Sequence, residues 1–98
     1  MFINIIRSCR DVVAICDKEL IGKVFEEDRF QLDIKENFYK GEEMSEEKVI
    51  GLLKSLSAED ATFNIVGKKS VNAALKTGII TKENINEIQN IPFALILL

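Results

Sequence analysis

The stretch IPFALILL, residues 91–98, limits the fold of this chain more than any other part of its sequence. It carries no charge, and an exposed strand of that composition pairs with other chains and aggregates. It is far shorter than the roughly 18 apolar residues of a membrane span. The run must therefore lie inside a sheet or form an interface. Pro92 lacks an N–H, so it starts the strand or confines its pairing to one side.

Other segments supply such a sheet. FINIIR (residues 2–7) and VVAIC (residues 12–16) are short, β-branched and bounded by polar residues, as strands are. SCRD between them reads as a tight turn, giving an antiparallel hairpin. VVAIC has no polar residue, which fits a central strand buried on both faces. LIGKVF (residues 20–25) reads as a third strand, with a bend or close approach at Gly22, and EEDR as a charged turn. FQLDIK then alternates, placing Phe30, Leu32 and Ile34 on an inner face. ENFYKGEE reads as a loop or short helical turn anchored by Phe38 and Tyr39. ATFNIV (residues 61–66) is a further strand.

Two helices stand out. In SEEKVIGLLKSL, Ser45 is a suitable N-cap, and Glu46 and Glu47 sit where the helix dipole favours negative charge. Val49, Leu52, Leu53 and Leu56 then form a single apolar stripe. Gly51 within it costs about 1 kcal/mol relative to Ala, and close packing is the expected reason. Residues 68–77 read as a second helix with Val71, Ala74 and Leu75 inward and Gly78 as its C-terminal stop. TKENINEIQN is ambiguous: Thr81 suits the cap of a short helix, but a turn leading into a short strand is the preferred reading.

The 98 residues suffice for one small domain. The composition, 47% apolar and 30% charged, is that of a globular protein. With seven aromatics and no Trp, the core must rest on Ile, Leu and Val. The net charge of −3 argues against a generic nucleic-acid binder. Residues 1–50 hold eight basic and twelve acidic side chains, the remainder five and four, so only the second half offers a modest cationic surface. In the hairpin reading Cys9 and Cys16 stand roughly 20 Å apart, beyond the reach of a disulfide. Free thiols and a reducing, cytoplasmic setting are expected. No signal peptide or membrane segment is recognised.

The chain has no histidine. That removes Ser–His and Cys–His dyads and the commonest zinc ligand. The acidic groups Glu26/Glu27/Asp28, Glu42/Glu43, Glu46/Glu47 and Glu59/Asp60 read as exposed turn and helix-start residues. No spacing matches a calcium loop. Cys16, followed by Asp17 and Lys18, reads as a small buried hydrophobe rather than an activated thiolate. No metal or cofactor is expected.

NIVGKKSVNAALKTG is the best candidate site. Gly67-Lys68-Lys69-Ser70 resembles half of a phosphate-binding loop, but Thr62 stands where the first glycine is required and Lys69 separates Lys68 from the serine. It is not a nucleotide-hydrolase loop. A helix N-terminus flanked by Lys68, Lys69 and Ser70 still offers weak anion or RNA-phosphate contact. Lys69, Asn72 and Lys76 share a polar, cationic face. A backbone that needs glycine to turn is the simpler account of Gly67.

Four stretches together, CDKELIGKVF, NFYKGE, NIVGKKSVNAALKTGII and IPFALILL, resemble in order and spacing the small archaeal family called domain of unknown function 424. The resemblance covers Cys16, Asp17, Leu20, Gly22, Lys23, Phe25, Phe38, Tyr39, Gly41, Asn64, Gly67, Gly78 and Pro92. The chain departs from the family pattern at Cys9, where glycine is frequent, and at Phe93 and Leu95, where polar residues are. The resemblance implies an archaeal cytosolic protein of mixed α and β structure, with no established activity and no catalytic residues.

The expected fold is α+β: a mostly antiparallel sheet of five or six strands with two main helices on one face. The leading functional reading is a non-enzymatic interaction module for a protein or ribonucleoprotein partner, in translation or RNA handling. A homodimer through the run from Phe93 to Leu98 is a further option, and no membrane partner is expected. The alternative is a small enzyme or binding protein that holds a phosphorylated ligand at the Gly67 turn. Its candidate contacts are Lys23, Asn64, Lys68 and Lys69; for anion or partner binding in general the candidates are Lys23, Asn64, Gly67, Lys68, Lys69 and Lys76.

Overall fold

The structure, a computed structural model, describes residues 1–56 and 60–97. Glu59 of the Glu59/Asp60 pair and Leu98 at the end of the apolar run lie outside the described residues.

The predicted α+β fold is borne out. The main sheet has six strands: β1 (Phe2–Ile6), β2 (Asp11–Cys16), β5 (Glu42–Glu43), β6 (Ala61–Val66), β7 (Asn86–Ile88) and β8 (Ile91–Leu97), in the order β5-β1-β2-β6-β8-β7. β1 and β2 form the predicted hairpin. β2 and β6 run parallel, whereas every other neighbouring pair in this sheet is antiparallel. A separate ribbon pairs β3 (Val24–Glu27) with β4 (Phe30–Asp33). The helices are a single turn, α1 (Glu36–Tyr39), and two longer ones, α2 (Glu46–Leu56) and α3 (Lys68–Thr77).

Alternation along the strands gives the sheet two different faces. On one, Ile3, Val13, Ile15, Phe63 and Ile65 meet Val49, Leu53 and Leu56 of α2 and Val71, Ala73 and Ala74 of α3. Phe63 is fully buried there, and its burial alone contributes about 2–3 kcal/mol. On the other face the register gives three rows: Ile6, Val12, Thr62, Leu97; Asn4, Ala14, Asn64, Leu95; Phe2, Cys16, Val66, Phe93. The last row is covered by Leu20, Ile34, Tyr39 and the β3–β4 ribbon.

Local signals hold at most corners. The Ser45 hydroxyl accepts a hydrogen bond from the Lys48 N–H at 3.4 Å, capping α2. Gly78, at φ 80°, ends α3 in the left-handed region. Thr81 caps a single 3-10 turn (Lys82–Asn84), and β7 follows it, so both readings of residues 81–90 are realised in succession. Gln89 and Asn90 both have positive φ, as a two-residue hairpin turn between β7 and β8 requires.

Three expectations need correction. The third strand does not begin at Leu20: Lys18–Leu20 is a 3-10 turn, Gly22 turns the chain at φ 78°, and β3 runs through Glu26 and Glu27, which were assigned to the turn. Phe30 is not an inner residue but 70% exposed, standing at the rim of a cleft beside β7 and Phe93 rather than under the core. Gly51 has no packing reason: it is exposed, and nothing lies within 4 Å of the place where a Cβ would stand.

Candidate functional site: the Asp17–Gly67 corner

The parallel register of β2 and β6 sets Cys16 beside Val66, which brings the next residues, Asp17 and Gly67, to the same end of the sheet. The ladder continues one step further, with the Asp17 N–H donating to the Val66 carbonyl at 3.1 Å. Here β6 turns directly into α3. Gly67 makes that turn at φ 108°, ψ 155°, a region open essentially to glycine alone. Carboxyl ends of parallel strands facing a helix N-terminus are where open α/β sheets bind anions.

In this chain an internal anion occupies that position. Asp17 is buried, and its carboxylate accepts hydrogen bonds from the Lys69 N–H (3.1 Å), the Ser70 N–H (2.8 Å) and the Ser70 hydroxyl (2.7 Å). Ser70 is itself fully buried. The carboxylate thus satisfies two of the orphan donors of α3 and lies where the helix dipole favours negative charge. A ligand phosphate using the same N–H groups has to displace Asp17.

The lysines remain on the outside. Lys68 and Lys69 are exposed and border two shallow depressions, one with Val71, Asn72, Leu75 and Pro92, the other with Asp17, Glu19, Leu20 and Ile91. Lys76 lies further along α3, ion-paired with Glu46 of α2 at 2.6 Å. Asn64 is in the middle row of the second sheet face, next to Ala14 and Leu95, not at the corner. Lys23 is exposed in the loop before β3, its backbone tied to Leu20 and Ile34. Of the six candidates, the corner gathers Gly67, Lys68 and Lys69. Sequence reasoning did not find Asp17 as the group filling the helix N-terminus. Its partnership with Ser70 spans 53 residues and depends on a parallel pairing that no local pattern announces.

Cys16 is fully buried beside Tyr39, Ala14 and Val66. Burial, and then the neighbouring Asp17 charge, pushes its thiol up to about 12. Burial, and then Cys16, pushes the Tyr39 phenol up to about 12 as well. Lys18 does not activate the thiol; it pairs with Glu43 at 3.0 Å. Both Cys16 and the exposed Cys9 are free thiols, as expected. Among the described residues no cluster of three or more acidic or thiol groups is suited to a metal, and no helix is long and apolar enough to cross a membrane.

Residues 6–98 match the family described as protein of unknown function DUF424. The chain belongs to this family. The resemblance read from CDKELIGKVF, NFYKGE and the two later stretches is therefore borne out. The DUF424 chain is also similar to the crystal structure of an uncharacterized conserved protein from Methanopyrus kandleri. The TM-score is 0.80 at 22% identity, covering 98% of this chain and 89% of that one. At that identity the likeness establishes the shared fold. No curated protein matches.

Proposed function

We propose that this DUF424 chain is a non-enzymatic interaction module, and that it docks another protein through the uncovered part of its second sheet face. One observation carries this reading. Leu97 is 67% exposed, Leu95 59% and Ile6 38%, and all three share that face. Phe30, 70% exposed, borders a cleft of about 380 Å³ next to Phe93, at the edge of the same surface. Exposed apolar side chains gathered on one sheet face mark interaction sites in soluble proteins. Chemistry at the Asp17–Gly67 corner has less support. The buried carboxylate already accepts three hydrogen bonds, the nearby thiol is held protonated, and no histidine is present.

The phosphorylated-ligand and RNA-phosphate readings rest on the exposed Lys68 and Lys69 alone. Affinity capture from the organism of origin separates the readings. Under the docking reading, a defined partner is captured by the wild type and by Lys68→Ala/Lys69→Ala, and lost with Ile6→Ser/Phe30→Ser. Capture that follows the lysines and is abolished by nuclease supports a ribonucleoprotein partner in translation or RNA handling. A thermal shift with phosphorylated compounds that disappears in Lys68→Ala/Lys69→Ala supports the ligand reading instead.

A further inference from the structure

The two outer edges of the main sheet differ. On one side β5, Glu42–Glu43, caps β1 with two acidic residues, a common way of blocking further strand addition. On the other side β7 covers only part of β8. Its ladder ends at the Asn86–Phe93 pair. The 3-10 turn Lys82–Asn84 that leads into β7 also packs against β8, but among the described residues no strand pairs with that side of β8 beyond Phe93. The Gly67 N–H donates to the Pro92 carbonyl at 2.8 Å. Antiparallel alternation therefore directs the peptide groups of Pro92, Ala94 and Ile96 toward β6. Those of Leu95 and Leu97 point outward. Residues 94–97 hold no charge, proline or glycine that would blunt this edge.

We propose that residues 95–97 of β8 pair antiparallel with the same residues of a second copy of this chain, across a two-fold axis at Ile96. The inference rests on the docking reading above and names its partner at the β8 end of the surface. The outward N–H and C=O groups of Leu95 and Leu97 form an edge to which a further strand can add. A second copy supplies one that is self-matched. With Ile96 opposite Ile96, Leu95 stands opposite Leu97 of the other copy, and each donor meets an acceptor. The same register brings Leu95 and Leu97 of both copies together on the exposed face, and the uncharged edge brings no like charges into opposition.

Sedimentation equilibrium and backbone amide exchange on the purified chain test this. The wild type is expected to show a concentration-dependent rise toward twice its 11.1 kDa mass. Exchange at the Leu95 and Leu97 amides is expected to slow at least tenfold as the dimer forms. Leu95→Lys/Leu97→Lys, whose altered side chains are exposed in the monomer, is expected to stay folded by circular dichroism and remain monomeric. Leu95→Pro, which removes an outward N–H, is a second variant expected to weaken the dimer. A wild type monomeric to about millimolar concentration overturns the pairing, as does a dimer that survives both variants. Neither result bears on the docking reading, which is decided by capture with Ile6→Ser/Phe30→Ser.

Discussion

Gly67 and the Asp17 carboxylate compete for one volume: a Cβ on Gly67 would lie 2.6 Å from each of the two carboxylate oxygens. The glycine is therefore needed twice, once for its φ of 108° and once to let the carboxylate reach the first turn of α3. The predicted phosphate-like turn and the buried acid are one structural unit.

Gly67→Ala tests that unit. Its backbone region alone costs about 1–3 kcal/mol for a residue with a side chain, and the collision with Asp17 adds to that. Gly78→Ala is the control: φ is also positive, at 80°, but nothing lies within 4 Å of the added Cβ. It is expected to cost about 1–2 kcal/mol. Urea unfolding of both variants should show Gly67→Ala losing clearly more stability. Equal losses would show that Asp17 moves aside freely.

The three hydrogen bonds into Asp17 predict strong coupling between that residue and Ser70. Asp17→Ala leaves buried donors without an acceptor and is expected to cost about 3 kcal/mol or more. Ser70→Ala removes one donor and should cost about 1 kcal/mol. The double variant should be less destabilised than the sum of the two, with a coupling of about 1–2 kcal/mol in a double-mutant cycle. Additive losses would mean that the hydroxyl contact at 2.7 Å contributes nothing.

These two residues show where sequence legibility ends. Residues 68–77 were readable as a helix because Val71, Ala74 and Leu75 repeat at helical spacing and Gly78 stops the run. β2 was readable as central because VVAIC has no polar residue. Both are local signals. The parallel partnership of β2 with β6 joins residues 50 positions apart, and the intervening ribbon, helices and short strand carry no mark of it. Without that register Asp17 reads as a surface acid after a strand, and the helix N-terminus reads as vacant. Phe30 was misread for a related reason. Its alternation with Leu32 and Ile34 is real, but what covers a strand face is decided by distant packing. Leu95 and Leu97 are exposed for that reason too: α1 covers the middle row at Asn4 and Ala14, through Phe38 and Tyr39, but leaves its Leu95 end open.

Gly51 is a position where stability can be gained. It lies on the exposed side of α2 with open space around the missing Cβ. Gly51→Ala is expected to raise stability by about 0.5–1 kcal/mol, since a mid-helix glycine is disfavoured relative to alanine. A thermal melt of the two proteins checks this. An unchanged or lower midpoint would show that the glycine serves some need beyond local packing.

The buried pair of Cys16 and Tyr39 predicts an alkaline limit to folding. Their ordinary values, 9.0 and 10.0, are both pushed to about 12 in the folded chain, chiefly by burial. The folded state therefore holds these protons at a pH where the unfolded state has released them. Their contribution to stability is fully present below about pH 9. It is lost as pH rises toward 12, at no more than about 1.4 kcal/mol per pH unit for each group. Urea midpoints measured from pH 8 to 11 should stay level and then fall. Tyr39→Phe should flatten the fall above pH 10, and Cys16→Ala should flatten it from pH 9 upward. In the same range a thiol reagent should modify exposed Cys9 rapidly and Cys16 only as the chain unfolds. Rapid labelling of both thiols at neutral pH, or a flat profile to pH 11, would contradict a closed environment around Cys16.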